Sequence, residues 1–393
     1  MSDDDLYFGR EQTLAKHLIL RNYLEQFAIV VGSSWDTITY VDCFSGPWNV
    51  QSDDFKDSSF AIALEQLRKA REVHRSQGRS LRLRCLFLEK SRSAYAKLKE
   101  YTDGIGDVEI LAKNAKLEDA IFEIEQFVKE GGRKSFPFIF VDPTGWTGFA
   151  METISPLLRL RPGEVLVNFM TEHIRRFIDS PQKPTQESLK RLFGSESFKD
   201  KLKGLEKLDR EDALIEAYCD SLRKLGGFPY VSSTIVPHPE QDRTHFHLIY
   251  ATRDPRGIQV FKAAERKSVP LVEEARAEVQ EREEVRKVGH KQLGITFDSE
   301  IEEAHSGYLV SLRERYNNHA KAAVEKMLEA GQTVLYDDVW TLAMGYPLIW
   351  EADLKGWINN WSREGKLKIH GMEPRQRVPR VGQRIRLLWL VKR

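Results

Sequence analysis

The sequence predicts an α/β fold, a mostly parallel sheet with helices on both faces, followed by a smaller C-terminal domain. Two observations predict the sheet. Short β-branched and aromatic runs alternate with segments of helical period over residues 1–261, and three of those runs end in an acidic residue at a turn. A third observation predicts the second domain: beyond residue 307, three helical segments precede two strand-like runs.

Along 13–31, Leu14, Leu18, Leu20, Leu24 and Phe27 recur near helical spacing and predict an opening amphipathic helix. TITYVDCFSG then reads as a strand that enters a glycine-containing turn at Ser45-Gly46. Residues 59–76 read as a helix, LRLRCLFLEK from Leu81 as a second strand turning inward, and 91–101 as a helix. DVEILAKNA holds a short third strand, 117–129 is helical, and FPFIFVDPTG is a strongly apolar fourth strand ending in another turn. After a helix closed by Pro162-Gly163, EVLVNFM is a further buried strand. Such alternation favours parallel pairing, because each crossover helix returns the chain to the same edge of the sheet.

Residues 171–225 are charged and helical in period, with no clear strand, and predict an inserted helical cap. TIVPHP and THFHLIYATRDPRG supply a terminal antiparallel pair, which closes the sheet domain at 1–261. The stretch 262–307 is dense in Glu, Arg and Lys and reads as a charged helical linker. In 308–393, three helices followed by a hairpin of LKIHG and RIRLLWLVK give the order of a winged helix. Trp340, Trp350, Trp357 and Trp361 fall at helical positions and are expected mainly in its core.

Composition narrows the function classes. With 393 residues the chain exceeds one core of about 100 to 200 residues. No run approaches the roughly 18 apolar residues of a membrane span, so no membrane partner is expected. The acidic start MSDDD lacks the basic region and apolar core of a signal peptide, and Cys43, Cys85 and Cys219 form no CxxC pair. A reduced, cytoplasmic setting is expected. From Trp361 to Arg393 there are ten Lys or Arg against two Glu, a net of +8. Nucleic acid is the expected partner of this basic end, with Arg375, Arg377, Arg380, Arg384 and Arg386 as candidate phosphate ligands.

Ligands of open α/β sheets bind beyond the carboxyl ends of the strands, so chemistry is sought there. The first strand ends in Asp42-Cys43-Phe44-Ser45-Gly46, where small residues let a ligand approach. Glu89 ends the second, the place from which a carboxylate holds a ribose diol. The fourth ends in Asp142-Pro143-Thr144-Gly145-Trp146: a carboxylate that can accept from a nucleophile, then an aromatic that can stack a planar base. His238, His245 and His247 fall within ten residues, but the surrounding FHLIY pattern explains them as strand residues, and no metal site is expected.

The ordered set KHLILRNYL, YVDCFSGP, LFLEK, FIFVDPTG, HLIYATRDPRG and the winged-helix-like end resembles the three-Cys-motif partner protein family, which is similar to class I S-adenosylmethionine-dependent methyltransferases. The resemblance spans nearly the whole chain. It implies a Rossmann-like class I methyltransferase sheet with S-adenosylmethionine as cofactor, held by Asp42, Phe44, Gly46, Glu89 and Asn114. It places Asp142 and Pro143 in the catalytic turn and Lys16 and His17 on the opening helix across the cofactor pocket; with Trp146 and the arginines of the basic end, read from the residues themselves, these are the expected substrate contacts. A three-Cys-motif iron-sulfur protein is the implied protein partner.

The sequence departs from the pattern twice. Trp48 stands where a second glycine is usual, and Thr144-Gly145 separate Pro143 from the aromatic Trp146. Two readings follow: a methyltransferase acting on a nucleic acid or nucleotide-like substrate, or a non-catalytic descendant that binds a partner protein or nucleic acid without turnover.

Overall fold

A computed structural model describes residues 7–46, 50–52, 54–288, 307–331 and 333–390. The seven-stranded sheet has the order β3-β2-β1-β4-β5-β7-β6, with strands β1 Thr37–Asp42, β2 Arg82–Glu89, β3 Glu109–Asn114, β4 Ser135–Val141, β5 Glu164–Phe169, β6 Tyr230–Pro237 and β7 Thr244–Thr252. β1 pairs in parallel with β2 and β4, and β7 runs antiparallel to both of its neighbours. This is a mostly parallel, Rossmann-like sheet closed at one edge by an antiparallel pair. Every residue of β1 and β5 is buried, as expected for strands covered on both faces.

The opening helix, α1 (Glu11–Gly32), lies along one face. Near its start Lys16 reaches Asp142 beyond the C-terminal end of β4, and two turns later Tyr23 donates to Glu164 at the N-terminal end of β5 at 2.8 Å. The helix therefore runs from the C-terminal edge of the sheet towards the opposite edge. The crossover helices are α2 Ser59–Ser76, α3 Arg92–Asp103, α4 Leu117–Glu130 and α5 Met151–Leu158. Ser58 caps α2 by accepting from the Ala61 amide, and Ser91 caps α3 through the Ala94 amide, which fixes where each helix leaves its strand-end turn.

Between β5 and β6 the chain forms α6 Thr171–Phe177, α7 Lys183–Phe193, α8 Phe198–Lys201 and α9 Lys207–Gly226. These pack over β5 through Phe169, Phe193 and Tyr218, whose rings meet with centroids 4.7 to 6.2 Å apart.

The stretch expected as a charged linker from residue 262 is instead the body of α10 (Pro255–Val288), and Phe261 lies inside that helix. Its many charges conceal a buried stripe of Ile258, Phe261, Ala264 and Val272 that packs on α1 and the sheet. Three of the charged residues are themselves buried, Arg276 at 4% exposed among them. Lys262 is 3% and Glu265 1% exposed, and they pair at 3.1 Å. Sequence composition reads such a helix as solvated because it cannot register a charge neutralised by a partner one turn away. The remainder of the expected linker, 289–306, lies outside the described residues.

The C-terminal part runs α11 Tyr308–Ala330, β8 Val334–Leu335, α12 Tyr336–Gly345, α13 Glu351–Arg363, β9 Leu367–His370 and β10 Arg386–Trp389, with β10 central in an antiparallel sheet of three strands. The two-residue β8 is too short to show a period in the sequence. Trp340, Trp357 and Trp361 are buried, whereas Trp350 is half-buried beneath the Arg313 guanidinium, 3.8 Å from its ring centroid. The apolar core is continuous from α1 through the sheet into α11–α13, so the C-terminal part is packed onto the sheet domain rather than tethered to it.

Candidate cofactor and catalytic site

The strand order reverses at β1 and β4, and the backbone there builds a shaped turn. The Cys43 amide donates to the Phe140 carbonyl at 2.9 Å and the Ser45 amide to the Leu88 carbonyl at 2.7 Å, so the chain leaving β1 is stitched between the tips of β4 and β2. Asp42 is fully buried at the centre. Its Oδ1 accepts from the Phe44 amide at 3.0 Å and its Oδ2 from the Ser59 hydroxyl at 2.7 Å. Burial, reinforced by the charge of Asp142 but opposed by the Phe44 and Ser59 hydrogen bonds, pushes its carboxyl up to about 6. Pro47, Trp48 and Asn49 lie outside the described residues, so the bulky ring expected in this loop has no placement.

Glu89 is 3% exposed. One carboxylate oxygen accepts from the Ser91 amide at 2.5 Å, which orients the group, and the other has no hydrogen-bond partner among the described residues. That is the acceptor a ribose diol requires: an anchored carboxylate with acceptor capacity to spare. Asn114, on the neighbouring strand, donates to the Glu89 and Lys90 carbonyls at 2.8 and 3.1 Å. It therefore shapes the turn that presents Glu89 and leaves its amide oxygen as the group directed elsewhere.

Asp142 follows β4 and is held from two sides. Lys16 donates to Oδ2 at 2.5 Å and Asn168, near the end of β5, donates to Oδ1 at 2.7 Å. Asn168 Oδ1 is buried with no hydrogen-bond partner among the described residues. Sequence reading missed Asn168, although a lone polar residue near the carboxyl end of the apolar run EVLVNFM was a signal. Pro143 is buried beside Asp142.

The paired expectation for Lys16 and His17 divides. His17 is 4% exposed, with Nδ1 2.9 Å from the Tyr7 hydroxyl, and lines a cavity of about 210 Å³ between α1 and α10. Burial, with the charge of Lys16 adding to it, holds its imidazole well below the usual histidine range. Trp146 docks on the helical cap: its ring centroid lies 4.9 Å from that of Phe177 and its indole N–H donates to Ser188 at 3.2 Å. Asp42, Glu89, Asn114 and Asp142 are thus gathered at the tips of β1 to β4, with Lys16 over them, while His17 and Trp146 point into other packing.

Of the three histidines in and before β7, His245 is held by Glu172 at 2.7 Å and His247 is buried against Thr171. The five arginines of the basic end, Arg375, Arg377, Arg380, Arg384 and Arg386, are all exposed on the loop between β9 and β10 and on β10 itself. None of them makes an ion pair among the described residues. The three cysteines are free and buried, and no described helix is long and apolar enough to cross a membrane.

The chain matches no protein-family model and no curated protein. Among solved structures it is similar to a Legionella pneumophila protein of the DUF519 family, with 10% identity, a TM-score of 0.35, and 61% of this chain and 85% of that chain covered. It is also similar to an O-methyltransferase from Bacillus cereus in complex with S-adenosylhomocysteine (15% identity, TM-score 0.30, 59% and 80% covered). A third similar structure is a loganic acid methyltransferase with S-adenosylhomocysteine (11%, 0.30, 72% and 91%).

Proposed function

We propose that the chain is an S-adenosylmethionine-dependent methyltransferase of the three-Cys-motif partner kind, acting on a nucleic acid or nucleotide-like substrate. One observation carries this reading: Asp42, Glu89 and Asp142 stand at the carboxyl ends of three adjacent strands on both sides of the point where strand order reverses. The groups present fit the cofactor, because Glu89 retains an oxygen for a ribose hydroxyl and the turn after Asp42 is fixed by backbone bonds to both neighbouring strands. When bound, the cofactor supplies an electrophilic methyl group. The chain's own residues orient the nucleophile. Asp142, pinned by Lys16 and Asn168, accepts a proton-bearing N–H or O–H through its remaining lone pairs and holds that atom in line.

The C-terminal element order supports a winged helix, with the β9–β10 hairpin as the wing that docks phosphates. An iron-sulfur protein with a three-cysteine motif is the proposed protein partner. A non-catalytic reading draws on the docking of Trp146 against Phe177 and Ser188, which engages that ring in the helical cap.

Calorimetric titration with S-adenosylmethionine and S-adenosylhomocysteine separates the readings. The expected result is micromolar binding, weakened at least about tenfold in Asp42→Ala/Glu89→Ala, as loss of two buried acceptors predicts. Absence of binding by the intact chain rules out the enzyme. For the wing, Arg377→Ala/Arg380→Ala is expected to lower nucleic-acid affinity without changing sequence preference, and to reduce the slope of log K against log salt by about 2. An unchanged slope removes the wing from the interface.

A further inference from the structure

A cavity of about 950 Å³ lies between the sheet domain and the C-terminal part, walled by α9, β6, β7, α11 and α12. It stands at the upper end of the roughly 300 to 1,000 Å³ typical of small-molecule sites. Its charged lining is nearly of one sign: Asp209, Asp212 and Glu216 from α9 and Asp337 and Asp338 from α12, against Arg223. Some of these carboxylates are already engaged. Arg315 donates to Asp209 and Asp212, each at 2.6 Å, and Asp337 accepts from the Gly382 amide at 3.0 Å. Glu216 is exposed with Lys201 3.8 Å away, and Asp338 is exposed with no hydrogen bond or ion pair among the described residues.

A second observation comes from the buried wall. His247 is 1% exposed and lines the cavity, with Nδ1 2.7 Å from the Thr171 hydroxyl and no partner for Nε2 among the described residues. Burial pushes its imidazole down to about 3, so the ring is neutral and carries one proton. The Thr171 hydroxyl lies 3.1 Å from the Phe169 carbonyl; with its proton given there, Nδ1–H donates to Thr171 and Nε2 offers its lone pair to the cavity. Ser233, 2% exposed, lines the same cavity. Between the polar groups the lining is apolar, from Ile215, Met327, Leu342 and Pro347.

A ligand that satisfies this lining carries separated positive charges, donates N–H bonds at depth and covers apolar surface between its charges. A compact metal ion brings positive charge but neither its separation, nor N–H donors, nor apolar cover. Where Asp209, Asp212 and His319 do converge, Arg315 already supplies the positive charge. We propose that this cavity binds an aliphatic polyamine, its ammonium groups shared between the carboxylates of α9 and α12 and the His247 ring, its methylenes against Ile215 and Leu342. Because α9 belongs to the helical cap and α12 to the C-terminal part, the bound cation ties the two together and stabilises the full chain by mass action.

Spermidine is the probe, added to the full chain at fixed ionic strength while thermal melting and calorimetry are followed. The expected result is saturable binding with a raised melting temperature, and affinity reduced about tenfold in Glu216→Gln/Asp338→Asn. That variant removes two exposed charges and is expected to melt without spermidine as the parent does. The proposal is overturned by an absence of saturable binding, by equal binding in the variant, or by equal stabilisation with magnesium chloride, which marks simple charge screening. Saturable binding of a basic peptide where spermidine fails also overturns it, since the occupant is then a protein segment.

Discussion

Replacing Asp42 with Asn is expected to stabilise the fold at neutral pH while weakening S-adenosylmethionine binding. The carboxyl titrates near 3.8 when unfolded and near 6 when folded, since its site at the end of β1 is fully desolvated. The folded state therefore binds the proton more tightly. Asp42 favours folding below pH 3.8, and that contribution is lost as pH rises through 6. About two pKa units correspond to about 3 kcal/mol of penalty for the ionised form at neutral pH. An asparagine keeps an oxygen for the Phe44 amide and carries no charge, so its melting temperature should exceed that of the parent by a few degrees above pH 6. The two curves should converge as pH falls towards 4. S-adenosylmethionine affinity at pH 7.5 should fall at least about tenfold, because Asp42 Oδ2 also accepts from the Ser59 hydroxyl and an amide NH₂ there cannot, so the proposed cofactor turn loses that bond. A variant less stable than the parent at pH 7.5 contradicts the burial argument; unchanged affinity contradicts the site.

Glu265→Ala is expected to cost about 3 to 5 kcal/mol, the range for stripping one partner from a buried ion pair. Glu265 accepts from Lys262 at 3.1 Å, the Leu348 amide at 2.9 Å and the Trp350 indole at 3.1 Å. Lys262 in turn donates to the Tyr346 carbonyl at 2.6 Å. This cluster is where α10 grips the C-terminal part, so its loss should loosen that part first. Chemical denaturation followed by tryptophan fluorescence, with Trp340, Trp350, Trp357 and Trp361 as reporters, measures the cost. Burial shifts the Lys262 ammonium below its ordinary range even with its partner present, and without it the charge is left exposed to that desolvation alone. The double variant Lys262→Met/Glu265→Ala should therefore cost less than the sum of the two single changes. Additive costs mean that the pair is not coupled.

The two predictions differ in how much of them the sequence foretold. Asp42 was legible because a carboxylate after TITYV and before Phe44-Ser45-Gly46 is a local pattern of strand, acid and turn. Glu89 and Asp142 were legible for the same reason, each ending an apolar run. The burial of Lys262 and Glu265 was not, since nothing in their neighbours distinguishes them from the exposed charges that surround them on α10.

What the sequence by itself determined was the alternation of strand and helix, the antiparallel closing pair, the acids at the strand tips and the basic hairpin. Each of these is written in side-chain period and turn chemistry over a few consecutive residues. What only the tertiary structure decided was which of those residues meet. Lys16 and Asp142 are 126 residues apart, and Asn168 reaches the same carboxylate from another strand. His17, adjacent to Lys16, turns to Tyr7, because successive helical residues differ by about 100° in direction and a motif of two neighbours cannot face one site. Trp146 went to the cap for a similar reason: Phe177 and Ser188 lie in helices whose placement depends on the whole insertion. The cavity between α9 and α12 exists only because a continuous core docks the C-terminal part on the sheet, and no local pattern encodes the space left between two packed bodies.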